Sequence, residues 1–303
     1  MASHVGRQFG NYRLTQLLGT GGFADVYLGE QVYLKSLVAI KVLSAPLAPE
    51  ATDGFLREAQ ILVNLVHPHI VRLLDYGVEE QTPYLVMDYA PGGTLRERMA
   101  PGQRFSLPTV VAYVKQVAEA LQYAHDLRLI HRDVKPANLL LGRYDEVLLS
   151  DFGISLLASS SRSLTTRDIA GTITYMAPEQ IQGHPRQASD QYALGVIVYE
   201  WLAGKRPFSG SFTEIAAQHC LVAPPSLREA NPHVHRVIET VILHALAKRP
   251  EQRFANVQAF AETLERAVAM TARRPAQLAP VRAGSASGMQ WRLEDDFEGI
   301  APW

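Results

Sequence analysis

Apolar side chains at positions 12, 14 and 18 give residues 12–18 a loose period of two, which predicts a strand. Strands are also predicted over 25–28 and 38–43, then over 71–74 and 84–87. The last two are split by the polar turn Glu79-Glu80-Gln81-Thr82. Between the third and fourth strands the period changes to helical. Phe55, Leu62 and Leu65 share one flank, Asp53 is the predicted N-cap, and the helix should stop before His67-Pro68. From Pro91 onward the pattern is helical. Ser106 and Pro108 mark a first turn, and Val110, Val114, Val117, Leu121 and Ala124 follow at helical spacing. Residues 190–203 are apolar nearly all round, which predicts a fully buried helix, and 234–247 and 257–270 read as two more. Strands first and helices afterwards predict an α+β protein of two lobes. No repeat of 20–50 residues is visible.

Composition narrows the class. The chain has 303 residues, 47% hydrophobic and 19% charged, enough apolar material for one large or two small domains and too much for a mainly disordered protein. A formal net charge of −1 provides no global field for nucleic acid or an anionic membrane, so neither is an expected partner. Cys220 is the lone cysteine, which excludes an intrachain disulfide and fits a reducing compartment. No apolar run reaches the roughly 18 residues of a membrane span, and the first residues lack the apolar stretch of a signal peptide. The expectation is a soluble, cytoplasmic chain without a membrane segment, although a longer parent chain could carry an anchor. Residues 271–290 hold Arg273, Arg274 and Arg282 without an acid, and 291–303 are acidic and aromatic; 270–303 therefore reads as a flexible tail or linker.

Candidate chemistry enters at four places. Gly19-Thr20-Gly21-Gly22-Phe23-Ala24-Asp25-Val26 lies between the first two strands. Glycines there let the backbone approach a polyphosphate and turn N–H groups toward its oxygens. Alone, this segment reads equally as a Gly-rich hairpin, and Ala24 stands where a third glycine would be expected. Lys41 interrupts the otherwise apolar Val38-Ala39-Ile40 strand, either as a snorkelling edge lysine or as an ammonium that Glu58 of the next helix holds against phosphate oxygens. The loop His131-Arg132-Asp133-Val134-Lys135-Pro136-Ala137-Asn138 combines an acid, a base and an amide. Asp133 can accept a proton, Lys135 can neutralise phosphate, and Asn138 can ligate a hard cation through oxygen. Asp151 of Asp151-Phe152-Gly153 offers a second oxygen, and two such ligands suit Mg²⁺, which keeps water and phosphate elsewhere.

With Ala177-Pro178-Glu179, this ordered set resembles the protein-kinase signature over roughly residues 12–269. The five fixed positions of the 131–138 loop alone would match by chance in about one in 10⁴ chains of this length. Lys135 resembles the serine/threonine class, and Thr172 matches the threonine that bridges the catalytic Asp and Lys. The compact loops resemble the bacterial, eukaryotic-like (Hanks-type) branch.

The resemblance implies a small antiparallel β-sheet N-lobe with one main helix (12–87), a hinge (88–90) and a larger, mainly helical C-lobe (91–269). Residues 1–11 form an N-terminal extension. It implies ATP with Mg²⁺, or Mn²⁺ as a substitute. ATP would lie against Leu18, the glycine loop from Gly19 to Val26, Ala39, Lys41, Met87, Asp88, Ala90 and Leu140. Asp133, Lys135, Lys41 and Glu58 would be catalytic, and Asn138 and Asp151 would hold the metal. Leu62, Leu73, His131 and Phe152 match the regulatory hydrophobic stack. Asp190 should support the catalytic-loop backbone, and Arg253 should pair with Glu179. Arg132 would bind a phosphate on Thr166, or on its neighbour Thr165, placed there by autophosphorylation in trans through transient self-association. Protein substrates with Ser/Thr acceptors are implied. Thr94 and Ala137 stand where arginine-directed members carry acids, which argues against selection for basic residues. A pseudokinase scaffold and a small-molecule kinase are the competing readings. The first usually loses Lys41, Asp133 or Asp151, and the second lacks the Ala-Pro-Glu segment and its arginine partner.

Overall fold

The computed structural model describes residues 4–22, 24–44, 46–47, 49–152 and 173–272. Six antiparallel strands form one sheet: β1 (Gln8–Phe9), β2 (Tyr12–Thr20), β3 (Ala24–Gln31), β4 (Leu37–Leu43), β5 (Leu73–Glu79) and β6 (Thr82–Asp88). Their order is β1-β2-β3-β4-β6-β5. Alternation sorts side chains to two faces. Leu14, Tyr27, Ile40, Val42 and Val86 pack together on one face. Leu85, Met87 and Leu73 pack on the other against Phe55 and Ala59 of helix α1 (Pro49–Val63).

Several expected boundaries move. The helix opens at Pro49 rather than at Asp53, because a proline at the first helical position loses no hydrogen bond. Leu65 lies beyond its end yet is buried. The turn between β5 and β6 tightens to two residues, Glu80 and Gln81, with φ of 47° and 68°, the left-handed pair that a two-residue hairpin requires. Gln8–Phe9 of the expected extension pairs with β2, and the helix expected over 257–270 continues to Ala272.

The second lobe is helical: α2 (Leu95–Arg98), α3 (Leu107–Asp126), α4 (Pro178–Ile181), α5 (Gln187–Ala203), α6 (Phe212–Leu221), α7 (Leu227–Ala230), α8 (Arg236–Ala245) and α9 (Val257–Ala272). Ser106 caps α3 by accepting the Thr109 N–H, and the five periodic residues of that helix are all buried. Helix α5 is buried from Ser189 to Ala203 and forms the axis of the lobe. Each fully buried large apolar residue on it, such as Leu194 or Ile197, contributes about 1.5–3 kcal/mol relative to exposure. Gly204 ends α5 at φ 77°, and a Cβ there would lie 2.7 Å from the Gly102 carbonyl, so the position demands glycine twice over. A short hairpin, β7 (Leu139–Leu141) with β8 (Val147–Leu149), lies between the lobes' main elements and carries the candidate site residues on its flanks.

Candidate active site

The glycine loop closes the β2–β3 hairpin. Thr20 and Asp25 are the last register pair, and Gly21 N–H donates to the Ala24 carbonyl at 2.9 Å. Gly19, Thr20, Gly21 and Gly22 are exposed, Ala24 is buried, and Phe23 lies outside the described residues. Register places Val26 opposite Lys41 and Ala39 opposite Met87. All four therefore share the sheet face that looks toward α1 and the second lobe. Leu18, Val26, Ala39 and Leu140 are exposed or half-buried, as the walls of an open cleft would be, whereas Met87 is buried. Asp88 donates its N–H to the Arg72 carbonyl, and burial pushes its carboxyl up against the opposing charge of Arg72. Ala90 is half-buried just beyond the sheet.

The 131–138 loop hangs from one buried carboxylate. Asp190 Oδ2 accepts from His125 Nε2 at 2.7 Å and from the His131 N–H at 2.9 Å, and Oδ1 accepts from the Arg132 N–H at 2.9 Å. These bonds hold Arg132 at a φ of 68°, a conformation uncommon outside glycine. His131 is fully buried. Its Nδ1 accepts the Asp133 N–H at 3.2 Å, so Nε2 carries the proton donated to the Ser150 carbonyl at 2.8 Å. The Asp133 carboxylate is fixed through Oδ2, which meets Lys135 Nζ at 2.8 Å and Asn138 Nδ2 at 3.0 Å. Asn138 Nδ2 also donates to the Asp133 carbonyl at 2.8 Å. Both amide hydrogens are thereby used, and Oδ1 is left as the atom for a hard cation.

Lys41 does not pair with Glu58 in this structure; its Nζ lies 2.9 Å from Asp151 Oδ1. The physical reason is that the Lys41 side chain is only 11% exposed and needs a counter-charge, and Asp151, at φ 69°, is the carboxylate within reach. Burial pushes the Asp151 carboxyl up, but the charge and hydrogen bond of Lys41 above all, with Lys135, outweigh it and hold the group below the usual carboxylate range. Glu58 Oε2 is buried without a hydrogen-bond partner among the described residues, and desolvation raises its pKa. Leu62, Leu73, His131 and Phe152 do come together. The His131 and Phe152 rings lie 4.5 Å apart, and Leu62, Leu73, Met87 and Phe152 line a small cavity of about 30 Å³.

Arg253 and Glu179 meet as expected, and bidentately: Nη1 to Oε1 at 2.7 Å and Nη2 to Oε2 at 2.8 Å. Burial pushes the Glu179 carboxyl up, but hydrogen bonding and charge from Arg253 hold it low. Arg132 donates its N–H to Asp190 and accepts Gln180 Nε2 at its carbonyl, while its Nε is buried without a partner among the described residues. Thr165, Thr166 and Thr172 lie outside the described residues. Sequence reading passed over His125, Ser150, Ser189 and the Tyr175–Glu200 pair. Only His125 carried a signal, a polar residue beside Ala124 on the buried stripe of a helix.

Comparison with protein-family models matches residues 12–264 to the family described as "Protein kinase domain". Among curated proteins, serine/threonine-protein kinase PrkC of Bacillus subtilis (strain 168) is 36% identical over 253 residues, 82% of this chain and 39% of the relative. Serine/threonine-protein kinase Pkn1 of Myxococcus xanthus is 40% identical over 275 residues, 88% of this chain and 39% of the relative. Serine/threonine-protein kinase PknB of Mycobacterium tuberculosis (strain ATCC 25177 / H37Ra) is 39% identical over 255 residues, 80% of this chain and 40% of the relative. The chain spans about two-fifths of the length of these relatives.

Proposed function

This chain belongs to the protein kinase domain family, and from that membership we propose that it is an ATP-dependent kinase that phosphorylates serine and threonine hydroxyls of proteins. One observation carries the reading most directly: the Asp133 carboxylate is held by Lys135 Nζ at 2.8 Å and Asn138 Nδ2 at 3.0 Å, on a loop suspended from Asp190. A carboxylate so fixed can orient an acceptor hydroxyl and take its proton, while Lys135 faces the charge of the phosphoryl group in transit. The names of the relatives, all serine/threonine-protein kinases, support the acceptor class.

The donor set fits a hard divalent ion, for which we propose Mg²⁺ with Mn²⁺ as a substitute. The Asp151 carboxylate and Asn138 Oδ1 would hold it, and the ion supplies neutralisation of charge on the phosphates. The exposed glycine loop would cover those phosphates with backbone N–H groups, and Leu18, Val26, Ala39, Met87 and Leu140 would enclose the base. Lys41 would contact the nucleotide's phosphates, which requires it to share or leave Asp151. Glu58 is the carboxylate proposed to receive it then. Arg132, whose Nε has no partner among the described residues, is proposed to bind a phosphate on Thr166 or Thr165 placed there in trans by a second copy.

The test is incubation with labelled ATP, Mg²⁺ and a general protein substrate, beside Asp133→Asn. Label on protein that falls by about 10²–10⁴-fold in the variant, with nucleotide binding retained, is the expected result. Label confined to small molecules, no label, or a fully active Asp133→Asn overturns the proposal.

A further inference from the structure

Residues 4–10 precede the stretch matched to the family, 12–264, yet they are built into the sheet. Phe9 is fully buried, its ring edge-on to Tyr84 at 5.5 Å, and it packs with Leu14, Tyr27 and Val86. On one side the backbone pairs with β2: the Gly6 N–H donates to the Leu14 carbonyl at 2.8 Å, and the Leu14 N–H to the Arg7 carbonyl at 3.0 Å. On the other side the segment meets the β5–β6 hairpin. Arg7 Nη2 lies 2.7 Å from Glu80 Oε2, and the Gly10 N–H donates to Glu79 Oε2 at 3.4 Å. At Gly10 the fit excludes a side chain, since a Cβ would lie 2.5 Å from the Tyr84 hydroxyl oxygen. Strands β1 and β5 are the two edges of the sheet. The segment is therefore a strap that joins them and closes the sheet on itself.

Strand β2 runs from this strap to the glycine loop and has little else to hold it. The Tyr12 hydroxyl donates to Asp75 of β5 and Leu14 is fully buried, but every residue from Thr15 to Thr20 is exposed. Beyond Leu14 the strand depends on its ladder with β3, which is interrupted by register shifts at Leu14/Gln16 and Leu17/Gly19. An outer strand anchored at one end takes its direction from that end. The strap's other contact, Tyr84, lies near the start of β6, the strand that leads to Met87 and Asp88. The strap thus spans the two strands between which the nucleotide is proposed to lie. One carries the loop over the phosphates, and the other borders the base.

We propose that residues 4–10 position the glycine loop for nucleotide by fixing the direction of β2 relative to β6, and that Arg7 and Phe9 are the positioning residues. The inference rests on the nucleotide site of the kinase reading above. Phe9 supplies the buried anchor and Arg7 sets the closure. The side chains of the Arg7–Glu80 pair are 45% and 76% exposed, so the pair can be reversed without opening the core.

The experiment uses the full chain and measures kcat, KM for Mg·ATP and KM for a general protein substrate. Arg7→Glu sets a like charge against Glu79 and Glu80 and should raise KM for ATP about threefold to fivefold, the size an exposed pair can supply. Both kcat and the KM for protein substrate should be unchanged. The reversed pair, Arg7→Glu with Glu80→Arg, should restore KM for ATP, and raised salt should narrow the difference. Hydrogen exchange should quicken across residues 15–22 in Arg7→Glu and not in helix α5. Lys115→Glu, which breaks an exposed ion pair with Glu265 in the helical lobe, should leave KM for ATP unchanged. Phe9→Ala, where thermal melting shows it folded, should raise KM for ATP further. If Arg7→Glu keeps the wild-type KM for ATP, if the reversed pair does not restore it, or if kcat and both KM values shift together as a general loosening of the fold would make them, this inference is overturned and the kinase reading stands. If wild type takes up no Mg·ATP in a calorimetric titration, the nucleotide reading fails and takes this one with it.

Discussion

Replacing Arg253 with methionine removes the cation of a buried ion pair without leaving a large hole. The Arg253 side chain is 0% exposed and makes two bonds to Glu179, at 2.7 and 2.8 Å, and three more to the carbonyls of Ala247, Ala188 and Lys248. Loss of one partner of such a pair costs about 3–5 kcal/mol, because the remaining charge is buried without compensation. The three abandoned carbonyls add to that at roughly 1 kcal/mol each, while methionine packed on the Tyr192 ring offsets part of it. The expected total is about 4–6 kcal/mol, and at about 2–4 °C per kcal/mol this lowers Tm by roughly 10–20 °C. Urea unfolding of wild type, Arg253→Met, Glu179→Gln and the double variant isolates the pair. Arg253→Met should cost about 2–3 kcal/mol less when Glu179 is already neutral. The pH dependence has a definite sign. In wild type the Glu179 pKa is held low, so its stabilisation is full above the ordinary carboxylate pKa and lost as pH falls through the lowered one. In Arg253→Met burial is opposed only by the Ser189 hydroxyl and a backbone hydrogen bond, so that pKa rises and the cost of the substitution should shrink on acidification. Equal costs in both backgrounds, or a cost independent of pH, would refute the reasoning.

Three further outcomes are expected. His219, fully buried between the Tyr192 hydroxyl and the Thr174 carbonyl, has its pKa lowered to about 4 by burial and by Lys248. Stability should therefore fall between about pH 6.5 and 4, on the order of 3 kcal/mol, and His219→Gln should flatten that limb in thermal melts across pH. Glu58→Gln removes a carboxylate whose Oε2 is buried and unpartnered, so it should raise Tm at pH 7 while lowering kcat; a lowered Tm would place a stabilising charge at Glu58 instead. A Thr165→Ala/Thr166→Ala variant and phosphatase-treated wild type should both lose most activity in the same assay, and full activity in both removes the proposed phosphate switch.

The order of strands and helices was legible in the sequence because it depends on contacts between near neighbours. Period-two alternation, the Ser106 cap and the apolar circumference of 190–203 each act within a few residues, and each has its counterpart in the fold. The glycine loop and the residues from His131 to Asn138 were legible for the same reason, since their spacing along the chain is itself the motif. Boundaries were less so: the helix start moved to Pro49 because a proline's N1 preference outweighed the cap offered by Asp53. Partner choice was decided by tertiary structure alone. Lys41 could have met either Glu58 or Asp151, and nothing local distinguishes two carboxylates that are distant in sequence. The packing of α1 left Glu58 Oε2 in an unpartnered buried position and brought Asp151 to 2.9 Å. Glu200 is the same kind of outcome: Tyr175 and Arg96 are distant from it in sequence, and only the fold brings the Tyr175 hydroxyl to 2.6 Å from Oε2 and Arg96 Nη1 to 3.4 Å from Oε1. Charge pairing depends on distance in space, which a linear sequence does not contain.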